Sequence, residues 1–216
     1  MSDTLVRKAE IRARVLAARR SLPAQVRRDA AHQLQATLVV AVREAAVRAA
    51  AGGPAPLVIT GYVPIGAEPG GPDLPAVLAR ALGPDGRLLL PVLRDDRDLD
   101  WVRYENPVGP EPAGEPLSAT APPGERLGPA AIRQASLLVV PAVAVDRTGL
   151  RLGRGGGSYD RALTRATPGA EVVALLYDGE LHDDPLPADP HDRRVTAVIT
   201  PARGRVRLPA GAGAGD

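Results

Sequence analysis

The sequence predicts a three-layer αβα fold around a mostly parallel central sheet, and three observations carry that reading. Five apolar runs, at residues 57–63, 87–93, 137–145, 171–177 and 195–200, are continuous rather than alternating. Strands buried on both faces read this way, and parallel sheets covered by helices are built from such strands. Helical patterns lie before and between the first runs. The chain has 216 residues, 44% of them hydrophobic, which suits one α/β domain. The core must be aliphatic, since there is no Phe and the aromatics are only Tyr62, Trp101, Tyr104, Tyr159 and Tyr177.

The elements follow in order. Residues 4–21 read as an amphipathic helix, with Leu5, Ile11, Val15 and Leu16 recurring near helical spacing among charged residues. Pro23 interrupts it. A second helix spans 24–51, with Val26, Leu34, Leu38 and Val42 as its inner face, and Gly52, Gly53 and Pro54 end it. Residues 72–82 form a third helix with Asp73 in its first turn. Residues 106–128 are dense in Pro and Gly and lack periodicity, which predicts a mobile flap. One domain is expected over 1–207, followed by a frayed Ala/Gly-rich tail at 208–216.

Composition excludes several classes of function. Lys plus Arg total 27 and Asp plus Glu 25, a net charge of +2, too balanced for a nucleic-acid coat. With no cysteine there are no disulfides, thiolate nucleophiles or thiolate metal sites. No apolar stretch has membrane-span length, and the N-terminus is a charged helix and not a signal peptide. A cytoplasmic monomer acting on small molecules, without nucleic acid or membrane, is the expectation. Lys8 is the only lysine. Where arginine serves everywhere else, the exception suits a site needing a compact ammonium, although a solvated helix stripe holds lysines just as readily.

Chemistry concentrates in residues 139–161, VVPAVAVDRTGLRLGRGGGSYDR. An apolar strand ends at Asp146, a turn follows at Thr148 and Gly149, and then come Arg151, Leu152, Gly153, Arg154 and the glycines Gly155, Gly156 and Gly157. A helix opens near Ser158, with Tyr159, Asp160 and Arg161 in its first turn. Glycines let backbone N–H groups approach a ligand, and the helix start adds its positive end. Arg151 and Arg154 add charge that does not titrate away. The result is an anion cradle at the carboxyl end of a strand. Asp160 beside a phosphate is repulsive unless a cation such as Mg²⁺ bridges them. A Walker loop is excluded, since it needs a lysine here, and a dinucleotide fingerprint from Gly153 needs glycine at Ser158.

The string RLGRGGGSYDR at 151–161 resembles the signature of the 5-formyltetrahydrofolate cyclo-ligase family, and the likeness spans nearly the whole chain. The resemblance implies an enzyme that uses ATP and Mg²⁺ to cyclise 5-formyltetrahydrofolate, on the architecture shared with phosphosugar isomerases and CoA transferases. KAEIR at 8–12 resembles the family's N-terminal helix, which implies that Lys8 and Arg12 meet nucleotide phosphates. Arg151, Leu152, Gly153, Arg154, Gly155, Gly156, Gly157, Ser158 and Tyr159 correspond to the ATP loop, with Arg151 and Arg154 as catalytic residues. GYVPIGAEP resembles the folate-contacting segment, implying Val63 and Glu68, with Trp101 and Tyr159 as further substrate contacts. LPADPHDRRV resembles the loop of a second Mg²⁺ carboxylate, so that Asp160 and Asp192 are the implied metal ligands. The chain departs from the family pattern at Ser158, where a second aromatic is frequent, at Val145, where Phe is usual, and at Glu180, where Gln is common.

Each of these residues also has a plainer reading. Lys8 and Arg12 at i and i+4 fit a solvated stripe, Glu68 a surface loop, Asp192 a turn, and Trp101 the core. His32, His182 and His191 have no metal spacing and receive no role. Two other functions share the fold: a phosphosugar-isomerase-like enzyme, which needs a carboxylate and a lysine at the sugar, and a non-catalytic nucleotide, folate or RNA binder.

Overall fold

The computed structural model describes residues 3–53, 55–105 and 122–209. Two long helices come first, α1 (Asp3–Ser21) and α2 (Ala24–Ala51), separated at Pro23, whose carbonyl accepts from the Arg27 amide. Then follow β1 (Val58–Thr60), α3 (Leu74–Leu82), β2 (Arg87–Leu93), β3 (Leu99–Arg103) and a short 3₁₀ turn (Pro129–Gln134). The second half contains β4 (Leu137–Pro141), β5 (Ala144–Asp146), β6 (Arg151–Leu152), α4 (Ser158–Leu163), β7 (Glu171–Leu175), β8 (Leu181–His182), β9 (Ala197–Thr200) and β10 (Gly204–Arg207).

Seven strands form one sheet in the order β10-β9-β7-β4-β1-β2-β3. The five inner strands are parallel, and β3 and β10 close the edges antiparallel. Because successive strand residues point to opposite faces, each apolar run splits between two cores. Leu137, Val139, Val173 and Leu175 face α2 and α3, packing with Leu34, Leu38, Leu74 and Leu78. Leu138, Val140, Val172 and Ala174 face the other way, with Ile132 of the 3₁₀ turn and Ala162 and Leu163 of α4. This is the expected helix-sheet-helix layering. Among the described residues no helix is long and apolar enough to cross a membrane.

The apolar run at 137–145 is not one strand. It leaves the large sheet after Pro141 and enters a second, three-stranded sheet, β6-β5-β8. The break is covered by hydrogen bonds, as the Val143 amide donates to Leu152 and the Val145 amide to Glu180. Continuous apolarity cannot signal a change of sheet when both halves are buried. Four short strands also lie outside the sequence expectation: the edge strands β3 and β10, β6 within the Arg/Gly loop, and β8. Leu5 and Val26, expected inside, are exposed at 51% and 46%. The buried stripe of α1 is instead Lys8, Val15 and Arg19. Of the expected flap, residues 106–121 lie outside the described residues. The rest follows β3, with the Leu127 amide donating to the Trp101 carbonyl. The tail from 210 onward also lies outside them.

Candidate active site

Helix α1 lies over the small sheet, with Ile11 packed on a cluster of Ala144, Leu150, Leu152 and Leu186. That contact aims Arg12 at the Gly-rich loop and Lys8 at the turn of Asp189 and Asp192. Arg12 Nε donates to the Gly153 carbonyl at 2.8 Å. One turn earlier, Lys8 Nζ donates to Asp192 Oδ2 at 2.5 Å and to Asp189 Oδ2 at 2.7 Å. Segments more than 140 residues apart in sequence thus share one cluster of charge.

The loop itself is shaped around Arg151. Its Nη2 donates to Asp160 Oδ1 at 2.8 Å and its Nη1 to the Pro141 carbonyl at 3.3 Å, while the guanidinium stands 5.7 Å from the centre of the Tyr159 ring. A Cβ on Gly153 would meet Arg151 Nη1 at 2.8 Å, so glycine there lets the guanidinium fold back. Gly155 and Gly157 have φ of 104° and 68°, the left-handed region where glycine is at ease. Gly157 caps α4, which starts at Ser158 and carries Asp160 in its first turn. Asp160 Oδ1 also accepts from the Arg193 amide at 3.2 Å, which places it beside the Asp192 segment. Leu152 is buried under α1, and its carbonyl is taken by Val143.

A second group of residues meets the loop at Arg154. Glu68 Oε2 accepts from the Ile65 amide at 2.8 Å, and Oε1 lies 3.5 Å from Arg154 Nη1. Burial raises the Glu68 pKa above the ordinary carboxylate value, against the pull of the Ile65 amide and Arg154. The Tyr159 phenol is likewise pushed up by burial and by the Glu68 charge, and its hydroxyl is buried without a partner. Val63 lies in the adjoining core beside Tyr62.

Trp101 differs from expectation. It sits within β3, with 0% of its surface exposed, in the same core cluster as Val145. No part of the ring is open to a ligand, so its place is behind the site. Trp101 Nε1 has no partner. Arg154, by contrast, has a side chain 52% exposed, free to turn toward an anion.

Two features were missed by the sequence reading. Asp189 stands three residues before Asp192 in a Pro-bounded turn, and that spacing was the available signal. Arg19 and Glu180 form a buried bidentate pair with both contacts at 2.7 Å. Arg19 also donates to the Ala142 carbonyl at 2.7 Å. Burial works against the Arg19 charge, but the Glu180 carboxylate outweighs it, and the guanidinium is held protonated more firmly than usual. At this point of departure from the family pattern, the carboxylate of Glu180 is committed to α1.

The donor set suits a hard divalent cation. Asp189, His191 and Asp192 each offer a ligand atom within 4.8 Å of the others. Carboxylate oxygens are the donors that Mg²⁺ prefers, and the Lys8 ammonium already shows that the aspartate pair accepts a compact cation. His191, which received no role from its spacing, is thereby a neighbour of Asp192, its Nε2 4.0 Å from Asp192 Oδ1.

Cations and carboxylates gathered over a glycine loop, beside a parallel sheet covered by helices, define an α/β enzyme of the ligase class once known proteins are set beside them. The sequence profile of the 5-formyltetrahydrofolate cyclo-ligase family matches residues 4–201. The chain belongs to that family. It is 39% identical over 211 residues to a 5-formyltetrahydrofolate cyclo-ligase of Mycolicibacterium smegmatis, covering 93% of this chain and 97% of the relative. Among solved structures, a 5,10-methenyltetrahydrofolate synthetase from Aquifex aeolicus superposes with a TM-score of 0.64 at 27% identity, over 97% of this chain and 96% of that one. Another from Mycoplasma pneumoniae gives 0.63 at 20% identity, over 88% and 96%, which is a likeness of fold.

Proposed function

We propose that this protein closes 5-formyltetrahydrofolate to 5,10-methenyltetrahydrofolate, with ATP as phosphoryl donor and Mg²⁺ as its counter-ion, giving ADP and phosphate. Family membership supports the reaction class. The single observation that supports the ATP chemistry is the meeting of α1 with the Gly-rich loop, where Arg12 binds the Gly153 carbonyl.

In this reading the γ-phosphoryl group passes to the formyl oxygen. N10 then attacks the activated carbon, and phosphate leaves. The formamide oxygen carries no proton to remove, so the first step needs alignment and charge neutralisation more than a base. Lys8, Arg12, Arg151 and Arg154 supply positive charge, and the 153–157 backbone supplies N–H donors. Ser158 and Tyr159 open the helix below. Asp160 and Asp192, joined by Asp189, are the groups to hold Mg²⁺, which supplies charge neutralisation on the phosphates when bound. Glu68 and Val63 line the folate side, with Tyr159 beneath and Trp101 as its backing.

The test is an absorbance assay with purified protein, 5-formyltetrahydrofolate, ATP and Mg²⁺. Growth of the near-ultraviolet band of the methenyl product, dependent on both ATP and Mg²⁺, is expected. A flat trace from folded protein refutes the reading and favours a binder that has kept the fold.

A further inference from the structure

Lys8 is buried to 4% exposure, yet it is held mostly by two carboxylates from one turn. Its two contacts are to the Oδ2 atoms of Asp189 and Asp192. Asp192 Oδ2 also accepts from the Asp189 amide at 2.7 Å, so the turn itself fixes that carboxylate in place. Two carboxylates this close repel each other unless a cation lies between them. A single ammonium neutralises only half of their charge; a divalent ion neutralises all of it.

We propose that the Lys8 ammonium and a divalent cation are alternative occupants of the Asp189–Asp192 pair, so that cation entry releases Lys8. The inference rests on the reading of this cluster as the metal and nucleotide site. The same two Oδ2 atoms cannot coordinate a metal at about 2.1 Å and accept hydrogen bonds from Nζ at full strength. The metal has a route in, since the Asp189 side chain is 25% exposed. The lysine has a route out. Its flexible four-carbon stem lets the ammonium swing while α1 stays docked through Ile11 and Arg12. An anion arriving with the metal lies within reach, because Arg12, one turn along the same face, already touches the glycine loop. Asp189 is then a cation-positioning residue alongside Asp192, and Lys8 holds the pair of carboxylates whenever no metal is bound. An arginine in place of Lys8 would grip the two carboxylates with a planar fork and release them less readily.

Metal affinity tests this without turnover. Mn²⁺ binding to the full chain, followed by electron paramagnetic resonance of the free ion, is compared between the wild type and Lys8→Met. Removal of the competing cation is expected to tighten Mn²⁺ binding several-fold, and Asp189→Asn to weaken it several-fold. Equal or weaker binding by Lys8→Met, or no Mn²⁺ binding by either protein, overturns the proposal. Because Lys8 is the only lysine, ¹⁵N-lysine labelling gives a single ammonium resonance in the unmutated protein. That resonance is expected to lose its exchange protection on addition of Mg²⁺ alone. If it stays protected at a Mg²⁺ concentration that saturates the Mn²⁺ site in competition, the exchange does not occur. A silent folate assay beside tighter Mn²⁺ binding would refute the proposed reaction while leaving the exchange standing.

Discussion

At the scale of single residues, the site is a set of charges held at partial burial. Glu68 is the clearest case. Its folded pKa is raised, so between the ordinary value and the raised one the native state binds more proton than the unfolded chain. Stability attributable to Glu68 is therefore greatest at low pH and falls as pH rises from the ordinary value of 4.5 through the raised one. Glu68→Gln should flatten this part of the stability–pH curve and leave the protein at least as stable at neutral pH. Thermal melts at matched pH values check it, and a variant curve parallel to wild type would show that Glu68 does not titrate in this way. On the proposed function, the same variant loses turnover, since the carboxylate faces the folate side.

At the scale of elements, the loop between β5 and β6 depends on one glycine. Gly149 has a φ of 83°, and a Cβ there would stand 2.4 Å from the Val195 carbonyl oxygen. That oxygen belongs to backbone tied in place, because the Val195 amide donates to the Gly149 carbonyl at 2.8 Å. Gly169 has nearly the same φ, 86°, and nothing within 4 Å of the added Cβ. Gly169→Ala should cost only the conformational strain, about 1–3 kcal/mol, whereas Gly149→Ala should cost more, since the backbone must also shift. Urea titration of both variants gives the comparison; equal losses would mean that the Val195 wall yields freely.

At the scale of the whole molecule, α1 is attached to the second half of the chain through polar and ionic contacts as much as through apolar ones. The Arg19–Glu180 pair joins its last turn to the segment before β8. Removing one partner leaves the other charge buried and unpaired, and such changes typically cost about 3–5 kcal/mol. Glu180→Ala should lower the urea midpoint accordingly with little change in slope. The double change Arg19→Leu with Glu180→Leu should recover much of the loss, because no uncompensated charge remains. A single variant as stable as wild type would show that the guanidinium finds water or another acceptor.

The sequence by itself determined the layered α/β fold, because continuous Val, Leu and Ile runs can only be buried on both faces. It also brought the candidate site loop into view, since arginines, glycines and an acidic helix start are contiguous from 151 to 160. It brought out Lys8 through composition alone. Other features were decided only by the tertiary structure, for physical reasons. The departure of β5 from the main sheet is invisible because both halves of that run are equally buried. Leu5 and Val26 follow helical spacing yet face outward, since the direction of a helix face depends on what it docks against. Trp101 gives no local sign of whether it faces a ligand or the core. The pairings Lys8 with Asp189 and Asp192, and Arg19 with Glu180, join residues more than 160 positions apart. Charge alone does not choose such partners; the docking of α1 on the small sheet does.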